Sequence, residues 1–360
     1  MNALGQRIAA LIAAQGPISV AEFMTMALHD PQGGYYATRD PFGAAGDFIT
    51  APEISQVFGE FLGLWCVQVW QDQGRPARKR LIELGPGRGT LMNDALRALK
   101  VAPEFLDGLE VVLVEASPAL TAIQRTALKD HDVQLRWTAR FDSSFDDGGA
   151  LFVIANEFFD ALPIRQYVRT LQGWRERMVT VGADGALDFV LSPTPVPSSS
   201  IPSDRQGAPD GGVYEACASA LGLSEEIARI VARWGGAALI VDYGYDKTGF
   251  AETLQAMADH GFAGVLQDPG EGDLSAHVDF SALAGAAVRG GAAAFGPVTQ
   301  SEFLRELGVP QRIERLAARH PEAAGDLRSG LERLIGPDQM GTLFKALAIM
   351  PKTAANPPGF

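Results

Sequence analysis

A carboxylate, Glu83, closes the apolar run Leu81-Ile82-Glu83-Leu84, and Gly85-Pro86-Gly87-Arg88-Gly89 follows at once. Alternate glycines leaving a strand permit positive φ and let backbone N–H groups approach a ligand that a Cβ would hold away. Two chemistries compete for such a turn. A dinucleotide loop reads G-x-G-x-x-G and aims a helix N-terminus at a pyrophosphate, whereas the spacing here is G-x-G-x-G with an acid before it. A carboxylate repels phosphate and attracts a sulfonium or an α-ammonium. The turn therefore points to S-adenosyl-L-methionine rather than NAD, with Glu83, Gly85, Pro86, Gly87 and Gly89 as its holders. A glycine turn without any ligand is the other reading of the bare pattern. The next apolar run, Leu109-Glu110-Val111-Val112-Leu113-Val114, ends in Glu115. An acid roughly 20 to 30 residues beyond the glycines is what a βαβ unit uses to hold a ribose, and Glu115 can accept from both hydroxyls.

A second group of chemistry-bearing residues, Asn156-Glu157-Phe158-Phe159-Asp160, ends the fourth apolar run. Open α/β sheets bind ligands beyond the carboxyl ends of their strands. Methyl transfer from a sulfonium is a direct displacement, so alignment and charge stabilisation outweigh proton transfer. If the acceptor is an arginine, two carboxylates can pair with two guanidinium nitrogens and turn the third toward attack. Glu157 and Asp160, three apart, can form that clamp; they can equally cap the following helix. His277, beside Asp279, is either a hydrogen-bonded structural residue or, near Tyr243 or Tyr245, the acceptor of the released proton. Trp137, Phe141 and Asp142 follow the third strand and can sandwich and hydrogen-bond an adenine, with core packing as the rival reading for the two aromatics.

The elements that must position these groups alternate. Strands are predicted at Arg80 to Leu84, Val111 to Val114, Val133 to Trp137 and Leu151 to Ala155, half of a doubly wound sheet. After Pro163 the period turns to two, at Gln166 to Arg169, Arg175 to Val181 and Leu187 to Leu191, which predicts an antiparallel insertion. Ser192 to Gly212 reads as a fraying loop. Ala237 to Asp242 resumes the sheet, and Ala292 to Val298 and Leu343 to Met350 complete it, with helices at Ser301 to Leu307 and Ile313 to His320. Residues 1–75 read as a helical region, 76–350 as the core with insertions at about 165–215 and 251–340, and 351–360 as a tail. Ser19-Val20-Ala21-Glu22 and Thr50-Ala51-Pro52-Glu53 both have capping-box spacing. Gly33 to Gly46, rich in glycine and carrying Tyr35 and Tyr36, predicts a lid over the cofactor.

Composition narrows the function classes. The chain has 360 residues, 47% of them hydrophobic, and no apolar run approaches the roughly 18 residues of a membrane span. Cys66 and Cys217 lie far apart and lack metal-ligand spacing, so free thiols are expected and no metal site. The first residues lack a basic segment before Ala9 to Ala14, so no signal peptide is read there and a cytoplasmic location is expected. A formal charge of −13 argues against a nucleic-acid substrate and leaves a basic protein surface as the better partner.

Several segments carry a resemblance to the class I S-adenosylmethionine-dependent methyltransferases, and among them to the MidA-like family. They are His29-Asp30-Pro31 with Gly33-Gly34-Tyr35-Tyr36, Gly46-Asp47-Phe48-Ile49-Thr50-Ala51-Pro52-Glu53-Ile54-Ser55, and Glu83 through Thr90. Ala155 through Ile164, Asp242-Tyr243-Gly244-Tyr245, His277-Val278-Asp279-Phe280 and Met340 through Lys345 complete the set. The similarity runs over almost the whole chain, with no departure at these positions. It implies an α/β fold, a Rossmann-like doubly wound sheet with an N-terminal helical lid, an antiparallel insertion and a C-terminal helical insertion. It implies S-adenosyl-L-methionine as cofactor, an arginine of a respiratory complex I subunit, or its bacterial NADH-quinone oxidoreductase equivalent, as the acceptor during assembly, and the mitochondrial matrix as the location of eukaryotic members of the family. It favours Asn156, Glu157, Asp160 and His277 as catalytic, Asn156 also as a cofactor contact, and Tyr36, Asp47 and Glu53 as lid or substrate residues. Without the resemblance, Glu53 reads as a helix cap. A non-catalytic cofactor-binding chaperone and a small-molecule methyltransferase are the competing functions. A homodimer through the apolar N-terminal helix is left open.

Overall fold

The apolar run before the glycine turn forms β1 (Lys79–Leu84), flanked by parallel neighbours on both sides. The computed structural model describes residues 1–38, 50–247, 249–258 and 261–360. Cα packing divides them into two units. The larger comprises 49–160, 220–247 and 278–360, and the smaller 1–48, 161–219 and 248–277. The boundary expected near residue 75 therefore falls inside the larger unit, and the smaller one is assembled from three separate stretches of chain.

In the larger unit, β2 (Glu110–Val114), β3 (Gln134–Thr138), β4 (Ala150–Asn156) and β5 (Gly236–Tyr245) are parallel to β1, β6 (Ala293–Thr299) and β7 (Phe344–Met350) extend the sheet, and the short strand Val278–Asp279 pairs in parallel with Gly244 and Tyr245. Across it the order is β3-β2-β1-β4-β5-β7-β6. β7 runs antiparallel to both its neighbours, pairing Ala238 to Tyr243 on one side and Ala293 to Thr299 on the other. Order reverses between β1 and β4, the switch point at which open sheets of this kind receive a ligand. Near-continuous burial along β1, β2, β4 and β5 explains why these strands read as unbroken apolar runs.

Helix α1 (Gln56–Asp72) buries Phe58, Leu62, Trp65 and Val69 in the core of this unit, which also takes up Leu91, Leu96, Phe105 and Phe152. Its start differs from expectation. Thr50 makes no side-chain cap; Ala51–Ile54 is a separate turn, and Ser55 caps α1 by accepting from the Val57 N–H at 3.3 Å. Rather than reach back to the Thr50 N–H as a box requires, the Glu53 carboxylate accepts from the Thr90 hydroxyl at 2.5 Å. Beyond the two helices expected between β6 and β7, a third spans Ala324–Ile335.

Residues 351–360 are packed. The Trp65 indole donates to the Pro358 carbonyl at 3.0 Å, and the Phe360 ring lies 5.3 Å from that of Phe303. Removing 351–360 should uncover Trp65 and Phe303, both buried, at a cost of about 2–4 kcal/mol. Urea denaturation reads this directly, and a midpoint unchanged by the truncation would show that the segment contributes nothing.

In the smaller unit the predicted antiparallel insertion is present. Ile18–Ser19, Gly173–Val181, Arg165–Thr170 and Val213–Ala216 pair in that order, and Leu187–Leu191 pairs with Gly173–Val181. The capping box at Ser19 and Glu22 forms as expected. Helices Ala3–Gln15 and Val20–His29 bury Leu4, Ile8, Phe23, Met24 and Leu28 against Val179, Leu254 and Leu274. Buried Glu215 ties the distant segments together by accepting from the Gln166 amide and the Thr253 and Leu254 N–H groups at 2.8, 3.0 and 3.3 Å. Ser192 to Gly212 includes two short 3-10 turns, and its Ile201 is buried with Trp174 and Tyr214.

Candidate active site

The turn leaving β1 has the conformation its glycines predict. Gly85, Gly87 and Gly89 have φ of 63°, 52° and 83°. A Cβ on Gly85 would stand 2.7 Å from the Phe158 ring. Gly89 caps helix α2 (Thr90–Leu99), and its own N–H closes the turn on the Pro86 carbonyl at 2.7 Å. Glu83 is buried at 3% exposure, and its Oε2 has no hydrogen-bond partner among the described residues.

Glu115 follows β2 as expected. Its Oε1 accepts from the Ser117 N–H at 2.7 Å and its Oε2 from the Gln124 amide at 3.1 Å. Gln124, on α3 (Pro118–Leu128), is a residue that sequence reasoning missed. Fully buried, it also donates to the Gly87 carbonyl at 2.8 Å and accepts from the Trp137 indole at 3.0 Å. One amide thus joins the glycine turn, the acid after β2 and the aromatic on β3. Only the helical phase of Gln124 relative to Leu120 and Leu128 hinted that it points inward.

Trp137 is engaged in packing. Its ring carries the Arg125 guanidinium at 4.1 Å and lies against the core of the unit. Phe141 stacks on buried Phe145 at 4.7 Å. Asp142 caps the short turn Ser143–Phe145, accepting from the Ser144 N–H at 3.0 Å, and Arg140 approaches its other oxygen at 3.4 Å. Those bonds hold its carboxyl below the usual range.

At the end of β4, Asn156 is buried. Its Nδ2 donates to Glu157 Oε1 at 3.2 Å, and its Oδ1 has no hydrogen-bond partner among the described residues. Glu157 has φ of 50°, a left-handed conformation that costs a non-glycine residue about 1–2 kcal/mol. Backbone bonds on both sides hold it there. Its N–H donates to the Val241 carbonyl at 3.0 Å, and the N–H groups of Phe158, Phe159 and Asp160 all donate to Asp242. Glu157 Oε1 also accepts from the Ala51 N–H at 3.1 Å. Neither Glu157 nor Asp160 serves as a helix cap, because no helix starts there.

Burial dominates the electrostatics of these carboxyls. It pushes Glu157 up to about 7, with neighbouring Asp160 adding to the rise. Glu83 is pushed up to about 8 by burial and then by Glu115. Burial, with Asp160 and Glu157 close by, also raises Asp242 well above the carboxylate range, against the pull of its backbone donors. Glu83, with an oxygen that no described donor reaches, is the acid among them that must gain a cation or keep a proton.

The sign of the consequence follows from the Glu83 shift. A carboxyl whose pKa rises on folding contributes stability that is complete below about 4.5 and is lost as pH rises through about 8. Between pH 5.5 and 8 the ligand-free protein should therefore lose up to about 1.4 kcal/mol per pH unit from this group. Glu83→Gln should flatten the dependence of melting temperature on pH over that window. Parallel curves for the two proteins would remove Glu83 as the cause.

The remaining candidates divide. Glu53 stands at the site, bonded to Thr90 at the start of α2. Tyr36 and His277 belong to the smaller unit. The Tyr36 hydroxyl donates to Asp273 at 2.8 Å and its ring stacks with His29 at 5.9 Å, while the His277 N–H donates to the Thr253 hydroxyl at 2.9 Å. Asp279 caps the helix Phe280–Arg289. Asp47 and most of the expected lid lie outside the described residues. Both cysteines are free, Cys66 buried and Cys217 partly so. No cluster suited to a metal ion occurs among the described residues.

Residues 61–298 match the model of a family described as putative S-adenosyl-L-methionine-dependent methyltransferases. The chain belongs to that family. The protein arginine methyltransferase NDUFAF7 of Danio rerio is 38% identical, over 96% of this chain and 86% of its own length. Its human counterpart is 37% identical over 94% and 81%. Among solved structures, a likely methyl transferase from Burkholderia thailandensis bound to S-adenosyl-homocysteine superposes with a TM-score of 0.87 at 28% identity, covering 99% of this chain and 94% of that one. The α/β methyltransferase fold expected from the strand pattern is thereby borne out, as is the choice of S-adenosyl-L-methionine over NAD. The residues of this methyltransferase suit the cofactor. Buried oxygens on Glu83 and Asn156 that no donor among the described residues reaches accompany a glycine turn in which a Cβ at Gly85 would strike Phe158.

Proposed function

We propose that this methyltransferase acts on an arginine side chain of a protein, and that the acceptor belongs to a subunit of a respiratory NADH-quinone oxidoreductase during its assembly. The observation that carries the first part is Glu157 at the carboxyl end of β4, a carboxyl that burial pushes up to about 7, with the buried carboxyl of Asp160 three residues on. A guanidinium is the permanently charged, multiply donating group that such acids receive best. The names of the relatives, protein arginine methyltransferases, support the same acceptor. When bound, the cofactor supplies an electrophilic methyl on a sulfonium.

The chain's own residues would do the rest. Glu83, Gly85, Pro86, Gly87, Gly89 and Asn156 hold the amino-acid end of the cofactor, and Glu115 holds the ribose, fixed in place by Gln124. Asp142 contacts the adenine through the oxygen that does not cap Ser144. Glu157 and Asp160 orient the acceptor, and Glu157, whose Oε1 is anchored by Ala51 and Asn156, takes the proton that leaves the methylated guanidinium through its other oxygen. His277, Tyr36, Asp47 and Glu53 stay candidates for acceptor contact.

The test is transfer of labelled methyl to a lysate from cells lacking this protein, with the labelled residue identified by mass spectrometry. Label on arginine in one protein of the oxidoreductase supports the reading. Label on a small molecule overturns the protein acceptor, and cofactor binding without any label favours a chaperone. No helix among the described residues is long and apolar enough to cross a membrane. We also place the protein in the cytoplasm, although its relatives bear the word mitochondrial in their names; recovery in the membrane fraction would contradict that.

A further inference from the structure

Asp242 lies near the end of β5, fully buried. Its Oδ2 accepts from three consecutive N–H groups, those of Phe158, Phe159 and Asp160, at 3.1, 2.9 and 3.3 Å. Its Oδ1 accepts from the Tyr243 N–H at 2.9 Å. Three successive N–H groups converge on one oxygen only where the chain curls tightly, the concave arrangement that elsewhere receives a free anion. Here the anion is a side chain of the adjacent strand. The curl begins at Glu157, whose left-handed conformation turns the chain away from β4, and it ends at Asp160.

We propose that Asp242 is the positioning residue of the methyl-transfer site, folding the Glu157–Asp160 segment around its carboxylate and so fixing the separation and direction of the two acids that receive the acceptor. It touches neither acceptor nor cofactor. The inference rests on reading this segment as the place of methyl transfer. A purely structural role would make stability, cofactor binding and turnover fail together. A positioning role separates them, because the glycine turn and Glu115 are built on β1 and β2, whereas the backbone of the curl is held from β5 by Asp242.

Asp242→Asn distinguishes the two. The variant keeps the shape and one oxygen for the three donors, but it loses the charge and sets an NH2 against the Tyr243 N–H. The expected result is a melting temperature and an S-adenosylhomocysteine affinity close to those of the unaltered protein, with KM for the cofactor unchanged and kcat for label transfer reduced about 100-fold, as for a misplacement near 1 Å. Asp242→Glu, one methylene longer, should not restore kcat. Unchanged kcat in Asp242→Asn overturns the proposal, as does a parallel loss of stability, affinity and kcat. Should Asp242→Asn fail to fold, the same measurements on Asp242→Glu decide, since a folded protein that binds S-adenosylhomocysteine with full kcat overturns it equally. If the unaltered protein transfers no methyl to any lysate component, the reading of the site fails and this inference with it; intact transfer in the unaltered protein confines any failure to Asp242.

Discussion

Gly85→Val is expected to abolish cofactor binding while leaving a folded protein. Its backbone sits at φ of 63°, where a β-branched residue is strained by at least about 1–2 kcal/mol. The added Cβ would also come within 2.7 Å of the Phe158 ring, which follows Glu157 directly. Relieving that contact must move either the turn or the curl, and both flank the proposed site. A loss of affinity of at least about 100-fold, worth about 2.7 kcal/mol, follows. Titration calorimetry with S-adenosylhomocysteine measures it, and circular dichroism checks the fold. Gly74→Ala is the control. Gly74 has φ of 79° with nothing near its Cβ position, so it tests backbone strain alone and should bind normally. Equal affinities for Gly85→Val and the unaltered protein would remove the turn from the cofactor site.

Glu157→Gln should reduce methyl transfer by about 10²- to 10⁴-fold, the range for loss of a positioned acid–base group. Cofactor affinity should change little. Burial pushes this carboxyl up to about 7, and Asp160 adds to the rise, while the Ala51 N–H and the Asn156 amide restrain it. It is therefore neutral below pH 7 and ionised above. Transfer measured as kcat/KM should rise through about pH 7 and level off, because only the ionised form pairs with a guanidinium and accepts its proton. The limb in kcat should lie at lower pH, since a bound guanidinium favours the ionised carboxyl. In Glu157→Gln the limb near 7 should vanish. A variant that keeps both the rate and the limb would assign the proton to another group.

The parts legible in the sequence were those written in local pattern. Buried parallel strands gave unbroken apolar runs, and the acids expected at the ends of β1 and β2 stand there, beside the proposed cofactor site. Glu53 was misread because its spacing from Thr50 imitates a capping box; the partner it takes, Thr90, is 37 residues away. Gln124 was invisible for a similar reason, as an amide gains meaning only when three separate segments reach it. Asp242 stood in a recognisable motif, yet its work is done on the N–H groups of residues 158–160, which no side-chain pattern reveals. The smaller unit was the least legible, because Ile18 and Ser19 pair with Val179 and Met178 across the whole intervening chain. Its core depends on meetings that local periodicity cannot encode.

The position of β7 bears on how the protein is made. This strand is the last of the sheet to leave the ribosome, yet it lies between β5 and β6 and is bonded to both. Until it arrives, β5 and β6 each present an unpaired edge, and β5 is the strand that carries Asp242. An incomplete nascent chain therefore cannot finish its sheet from the N-terminal side. Chains that stop before Phe344 leave apolar strand edges open to pairing with one another, the usual start of aggregation. Synthesis must reach the last segment before the sheet can close, so prematurely terminated chains are candidates for chaperone capture or degradation rather than partial activity.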